Sequence, residues 1–460
     1  MKNSLLTILC ALFFIACARM GEPAGMTPDY SDATVPCNIA PLNFSYEGGA
    51  GSTTFSAGDV SFTFKGGEIV WDEDDWRTLL QAAAGSDIAV SGRGGEWTVH
   101  VSRDTVDRYL TYRLIEPGYE VWDRVEIRER DLTGWDERVL CHHSNTGNSC
   151  MNCHIHKGRS SMFYLRGPKG GAILSEDGAQ PRKLSLRNSS MISGTVYGDL
   201  HPQGRWGVFS TNIIIPGFHT LGARRLEVYD TASDLAIADF EGNRMLTPPS
   251  LARADRLETF PCFSADGHAI YWCSAPAADL PGGLDSLRYA LVSASFNPEN
   301  GAVGTEYVIW DAPAEGKSVC HPRCSPDGRF LMLTVADYGT FPIWHKECDL
   351  ALIDLETGGF VDMDAANAEG SDTYHSWSSN SRWFVFASKR ADGVFGRPYL
   401  CHIDGQGRVG KPFVVPQKDP RHYEKTLKSY NIPDLGVIPA PYDSASTARL
   451  RDNVEAETFN

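Results

Sequence analysis

The residues best suited to chemistry lie in the stretch GNSCMNCHIH, where two residues separate two cysteines and a histidine follows the second. Thiols with this spacing can add across the two vinyl groups of a haem, and the adjacent histidine then ligates the iron. The spacing predicts one covalently bound haem c, attached at Cys150 and Cys153 and ligated by His154. No catalytic residue is predicted, because an enzyme such as a peroxidase would also need an open iron position and a distal acid or base.

Two other interpretations of this cluster stay open. Cysteine and histidine are common ligands of zinc, and four of the seven side chains here would suffice to hold a zinc or iron ion. The two cysteines could instead form a disulfide or a redox-active pair. The seven side chains are Cys141, His142, His143, Cys150, Cys153, His154 and His156.

The amino-terminal sequence MKNSLLTILCALFFIACARM is typical of an exported bacterial lipoprotein. A lysine precedes a short apolar run, and the small Ala16 precedes Cys17 as in a lipobox, so Cys17 would become the lipidated first residue. An ordinary signal peptide cut nearby is the alternative. We expect a protein of the cell envelope, anchored by Cys17 at the outer membrane and facing the periplasm. Export favours haem c, which is attached outside the cytoplasm.

The charge of the chain excludes a nucleic-acid partner. The sequence has 42 Lys and Arg against 58 Asp and Glu, a formal net charge of −16, and no basic run offsets it locally. Sequence motifs of nucleotide-binding loops, zinc proteases and serine hydrolases are absent. The expected partners are the membrane, through the lipid, and an envelope protein or redox partner.

Four segments share a pattern of strand, tight turn and aromatic-rich strand, each followed by a third strand. Their turns contain Gln203-Gly204, Asp266-Gly267, Asp327-Gly328 and Asn380-Ser381. Asp-Gly between two β-rich runs predicts a hairpin, because glycine adopts positive φ without strain. A repeated four-stranded unit indicates a β-propeller. Two degenerate units upstream bring the predicted number of blades to six, with seven as the alternative.

The repeat also predicts which loops lie on the same face as the haem motif. Connections in an antiparallel blade alternate between the two ends of the sheet. The haem motif precedes its own blade, so it shares a face with the loops between second and third strands. His219 and His345 lie in such loops, and Met162 could fold back over the iron. We rank His219, Met162 and His345, in that order, as candidates for the second axial ligand.

Five segments resemble a family of bacterial TolB-like (WD40-like) β-propeller lipoproteins that are often labelled cytochrome c biosynthesis proteins. They are NIAPLNF (38–44), YRLIEPGYEVW (112–122), CMNCH (150–154), YHSWSSNSRW (374–383) and KSYNIPDL (428–435). The resemblance covers nearly all of the mature chain and implies a propeller with a c-type haem, but little about its task. The family tends to carry histidine at the position of Tyr164, so no role of that histidine transfers to this chain.

These observations predict an all-β chain, with a TolB-like propeller after a small N-terminal β-rich domain. The expected function is electron transfer or redox sensing. The alternative is a binding or scaffold protein of the envelope, in which the cysteine–histidine cluster is structural or holds a metal. The predicted segments are a signal peptide (1–16), a tether (17–36), the N-terminal domain (37–98), a first degenerate blade with the haem motif (99–157), the other blades (158–430) and a C-terminal tail (431–460).

Overall fold

The computed structural model describes residues 25–48, 51–92, 95–116, 124–147, 150–151, 153–218 and 226–460. Two predicted site residues, Cys17 and His219, lie outside these ranges. None of the helices within the ranges is long and apolar enough to cross a membrane. The α-helices are Glu73–Ala82, His422–Lys425 and Ser444–Asn453, and the 3-10 helices are His143–Thr146, Leu284–Ser286, Ala312–Glu315 and Pro342–Trp344.

Two sheets and one helix form a β-rich unit at the start of the chain. Asp72 caps the helix by accepting hydrogen bonds from the backbone N–H groups of Asp74 and Asp75. The helix buries Trp76 against Trp71, which in turn contacts aromatic residues of the larger sheet. The larger sheet contains, in spatial order, Thr34–Pro36, Gly95–Ser102, Asp87–Gly92, Ser52–Ala57 and Val60–Lys65. The smaller sheet contains Met26–Thr27, Phe44–Tyr46 and Glu68–Ile69.

Six further sheets form the six blades of a propeller, which confirms the predicted all-β propeller fold. The blades are numbered along the chain, and the strands of each are given from the axis outward: blade 1 contains Ser429–Gly436, Tyr109–Ile115, Glu126–Asp131 and Glu137–His142, and blade 2 contains Ile155–Lys157, Ser160–Leu165, Gly171–Ser175, Arg182–Ser185 and Glu457–Thr458. Blade 3 contains Thr195–Leu200, Trp206–Phe218, Leu226–Asp239 and Arg244–Leu246, and blade 4 contains Arg256–Phe263, Ala269–Pro276 and Ala290–Asn297, with both Ala302–Val303 and Tyr307–Trp310 outside them. Blade 5 contains Ser318–Cys324, Phe330–Ala336, Asp349–Asp354 and Gly359–Val361, and blade 6 contains Asp372–Trp377, Trp383–Ser388, Arg397–His402 and Phe413–Val414.

The ring of blades is closed by a strand from the end of the chain. Ser429–Gly436 pairs antiparallel with Tyr109–Ile115 and becomes the inner strand of blade 1, and the inner strands of neighbouring blades contact one another around the whole ring. Closure removes the exposed edge that the first blade would otherwise present. The structure therefore differs from the predicted division, in which the first blade lay within 99–157 and residues 431–460 formed a tail.

The hairpin turns between inner and second strands lie where the sequence placed them. Gly204, Gly267 and Gly328 have φ of 74°, 73° and 77°, and Ser381 has φ of 58°. These turns all lie where the inner strands end, which we call the lower face. The opposite, upper face holds the beginning of each inner strand and the loops between second and third strands.

Candidate functional site

The inner strands are interrupted by a bulge at the same place in five blades. The pairing register shifts within the inner strands of blades 1, 3, 4, 5 and 6. In four of them the bulged residue has a positive φ near 50°, which is strained for any residue with a Cβ. A strained conformation that recurs at one position belongs to the architecture of the ring. The four residues are Phe260, His321, Tyr374 and Ile432.

Side chains at this position contact one another around the axis. Ring centroids are 4.4 Å apart for Tyr197 and Phe260, 4.2 Å for Phe260 and His321, and 4.5 Å for His321 and Tyr374. Each contact joins neighbouring blades, so these side chains line the central channel. We call this set, with Ile432 of blade 1 and the equivalent residue of blade 2, the channel ring.

Cys153 is the member of the channel ring in blade 2. Its backbone φ is 69°, positive as in the ring members of four other blades. A hydrogen bond to the neighbouring blade also occurs three residues after Cys153, as it does three residues after Phe260 in blade 4. In blade 4, the N–H of Phe263, three residues past the ring member, donates to Asp199 Oδ2 of blade 3 at 3.0 Å. In blade 2, the N–H of His156, three residues past Cys153, donates to Asp434 Oδ2 of blade 1 at 3.1 Å. Cys153 therefore holds the ring position of blade 2, and its side chain packs in the apolar cluster of blades 2 and 3, which Tyr197 also contacts.

His154 lies between blades 1 and 2, and neither of its ring nitrogens has a hydrogen-bond partner among the described residues. It is 4 % exposed, and its Nε2 lies 3.9 Å from Asp434 Oδ2. Burial, reinforced by the positive charge of Arg113, lowers the pKa of His154 to about 3, so the imidazole is neutral, as a metal ligand must be. His375 occupies the same position in blade 6, but its Nε2 bonds to Met332 O at 3.1 Å.

Two arginines set the electrostatic environment of Cys153. Burial raises the pKa of the Cys153 thiol to about 11, and the charges of Arg166 and Arg113 oppose that shift. The Arg166 guanidinium donates to Thr195 O at 2.8 Å and lies 4.4 Å from the ring centroid of Tyr164, and the Arg166 backbone N–H donates to Cys150 O at 2.9 Å. The second thiol of the motif therefore lies in a cationic part of an acidic chain.

The other side chains of the predicted metal cluster point to separate surroundings. Cys141 is buried in an apolar cluster, His142 Nδ1 bonds to Ser144 Oγ at 2.8 Å, and His156 Nδ1 bonds to Thr111 Oγ1 at 2.8 Å. Within the described ranges, no three His, Cys, Asp or Glu side chains are arranged to hold a metal ion. All ten cysteines there, from Cys37 to Cys401, are thiols.

Met162 lies on the opposite side of blade 2 from His154. It pairs directly with Ile155 and is fully buried with Cys153 and Ile155 in the core between blades 2 and 3. Successive residues of a strand point to opposite faces, and the His154 ring accordingly lies against blade 1. The fold-back of Met162 over the iron, predicted from its short distance along the chain, is not the geometry that the structure shows.

His345 lies on the upper face, as predicted, but both of its ring nitrogens bond to carboxylates. Nε2 is 3.3 Å from Glu227 Oε2, and Nδ1 is 3.0 Å from Glu347 Oε1. Tyr338 Oη donates to the other oxygen of Glu227 at 2.6 Å. Burial would lower the pKa of His345, but the two carboxylates overcome it and raise the pKa to about 9. A protonated imidazole cannot ligate iron, so this geometry does not favour His345 as the distal ligand.

The sequence analysis did not find Arg113, Arg166 or Glu227. Arg113 lies within the segment YRLIEPGYEVW, but the sequence of that segment does not show that Arg113 faces the haem motif. Glu227 is 118 residues from His345 along the chain, so only the ring of blades brings the two together.

Comparisons with known proteins identify no family. No family model and no curated protein matches the chain. Several solved structures resemble it weakly. TolB from Acinetobacter baumannii has 13% identity and a TM-score of 0.42, over 71% of this chain and 66% of TolB. Periplasmic gluconolactonase from Pseudomonas aeruginosa has 14% identity and a TM-score of 0.37, over 67% and 97%. A hypothetical selenium-binding protein from Sulfolobus tokodaii has 10% identity and a TM-score of 0.39, over 74% and 96%.

Proposed function

We propose that this propeller carries one haem c, bound through thioethers from Cys150 and Cys153 with His154 as an axial ligand, and that it transfers electrons or senses redox state in the cell envelope. The observation that carries the proposal is His154, a buried neutral imidazole whose ring nitrogens have no hydrogen-bond partner among the described residues, directly after the buried thiol of Cys153. Leaving a buried polar group unsatisfied costs about 1–3 kcal/mol, and ligation of a metal would recover that cost. We further propose that Cys17 carries the lipid.

Each residue of the motif has a distinct role in this proposal. The Cys153 thiol, held at the channel ring, and the half-buried Cys150 thiol would each add its S–H across a vinyl group, with no leaving group. His154 would donate a ring-nitrogen lone pair to the iron. When bound, the haem supplies a one-electron couple between ferric and ferrous iron.

The test is the absorption spectrum of protein produced in a host that attaches haem c. We expect a reducible haem band that stays with the polypeptide after acid–acetone extraction. Replacing both Cys150 and Cys153 by alanine should abolish the attachment. Cys37→Ala, which removes a half-buried thiol from the N-terminal domain, is the matched control and should leave it intact.

A second pair of variants separates ligation from packing. His154→Ala should change the ligand-sensitive bands, while His375→Ala, at the same position of blade 6, should not change them. Wild-type protein without haem after maturation would refute the proposal and leave the binding or scaffold function as the remaining one.

A further inference from the structure

Arg166 lies beside the haem motif without an acidic partner. Its guanidinium donates to the Thr195 carbonyl and lies over the face of Tyr164, both of them uncharged groups, and its backbone N–H donates to Cys150 O at 2.9 Å. Within the described ranges, Arg166 forms no ion pair with a carboxylate, although the chain has 58 acidic residues against 42 basic ones. Other half-buried arginines of the propeller, such as Arg205 and Arg329, do have carboxylate partners.

The cationic character of this place is reinforced by a second arginine. Arg113, from the second strand of blade 1, is 8 % exposed, and its charge acts on Cys153, on His154 and on Tyr197 and Tyr374 of the channel ring. Both charges act on Cys153, so an anion held beside that residue would be stabilised by both of them.

We propose that Arg166, supported by Arg113, binds the propionate carboxylates of the haem attached at Cys150 and Cys153. This inference rests on the proposed function and goes beyond it, because it assigns the residues that hold the acidic edge of the haem. A guanidinium presents a planar fork that binds a carboxylate with two parallel hydrogen bonds. Stacking on Tyr164 and the bond to Thr195 O fix the plane of that fork before the anion arrives.

The experiment measures the reduction potential of the holoprotein from pH 5 to 9. An arginine close to a carboxylate lowers its pKa by about 1–3 units, so the pH at which a propionate ionises is the sensitive readout. In Arg166→Gln we expect the pH-dependent step of the potential to move up by at least about one pH unit. The potential itself should fall, because losing a nearby positive charge favours the more positive ferric iron.

Two further variants make the test specific. Arg166→Lys keeps the charge but not the fork, and it should shift the step in the same direction by a smaller amount. Arg187→Gln removes an exposed arginine of the segment after blade 2, and it should leave the profile of the wild type unchanged. If Arg166→Gln does not fold, the inference is tested with Arg166→Lys alone. A dependence of its reduction potential on pH that equals the wild type then overturns the inference.

The experiments distinguish failure of the proposed function from failure of the role of Arg166. Wild-type protein that carries no haem refutes the proposed function, and this inference with it. Haem-loaded Arg166→Gln whose potential and pH profile equal those of the wild type refutes only the role of Arg166.

Discussion

Replacing Glu227 by glutamine should destabilise the protein in a way that depends on pH. Glu227 of blade 3 and His345 of blade 5 are 5 % and 6 % exposed, and they join two blades that are not neighbours. The pKa of His345 is raised from 6.5 to about 9. At 1.36 kcal/mol per unit, a shift of about 2.5 units corresponds to about 3 kcal/mol of stability for the protonated form. Both carboxylates contribute to this stabilisation, but the contribution of the half-exposed Glu347 is screened by solvent. We therefore assign about 2 kcal/mol of it to Glu227.

The sign of the pH dependence follows from a raised histidine pKa. This stability is fully present below pH 6.5, where His345 is protonated even in the unfolded chain, and it is lost as the pH rises through about 9. Glu227→Gln should therefore lower the free energy of unfolding by about 2 kcal/mol at pH 6. At pH 10 the difference should vanish or reverse, because neutral His345 leaves the Glu227 carboxylate buried beside an uncharged ring.

Urea unfolding of wild type and variant at pH 6 and pH 10 measures this difference. The control is Asp337→Asn, which removes the exposed ion pair between Lys317 and Asp337. That change should cost less than about 1 kcal/mol, without the same pH dependence. A penalty for Glu227→Gln that is equal at the two pH values, or absent at pH 6, would refute the reasoning.

Three other predictions concern the anchor, the distal ligand and the closure of the ring. Cys17→Ala should release the protein from membranes on fractionation, and an unmodified Cys17 in the mass spectrum of the native protein would contradict the anchor. The near-infrared magnetic circular dichroism of the ferric protein should lack a methionine–iron band, because Met162 lies on the far side of blade 2, and Met162→Leu should leave the spectrum unchanged. A chain that ends at residue 428 should not unfold cooperatively, because blade 1 loses its inner strand, whereas a chain that ends at 453 loses the outer strand Glu457–Thr458 and the buried Phe459 but keeps all six inner strands, and it should still unfold cooperatively at lower stability.

Local turn chemistry made part of the fold predictable. Asp-Gly between two β-rich runs predicts a hairpin turn, and the structure has hairpin turns at 266–267 and 327–328. The closing strand Ser429–Gly436 was not predictable, because its partner Tyr109–Ile115 lies more than 300 residues earlier and no local pattern encodes that pairing. Asp434 and His156 are 278 residues apart, which likewise hides their hydrogen bond from the sequence.

The haem motif illustrates the same limit within a few residues. Its spacing alone identified Cys150, Cys153 and His154 as a group. Their directions depend on the left-handed backbone of Cys153, whose φ is 69°, and the His154 ring lies against blade 1; the spacing of the motif does not predict either feature.

The repeat itself shows that His154 is not needed to build the ring. The residue after the ring member is His154 in blade 2 and His375 in blade 6, but elsewhere it is proline or glycine, which provide no polar side chain. Proline lacks even the backbone N–H, so the bulge needs no donor at this position. A buried imidazole there is therefore not dictated by the bulge, and His375 makes use of its ring through the bond to Met332. His154 has no such bond, and iron ligation is the role that would use its nitrogen together with the thiol of Cys153. The four remaining positions are Gly198, Pro261, Pro322 and Pro433.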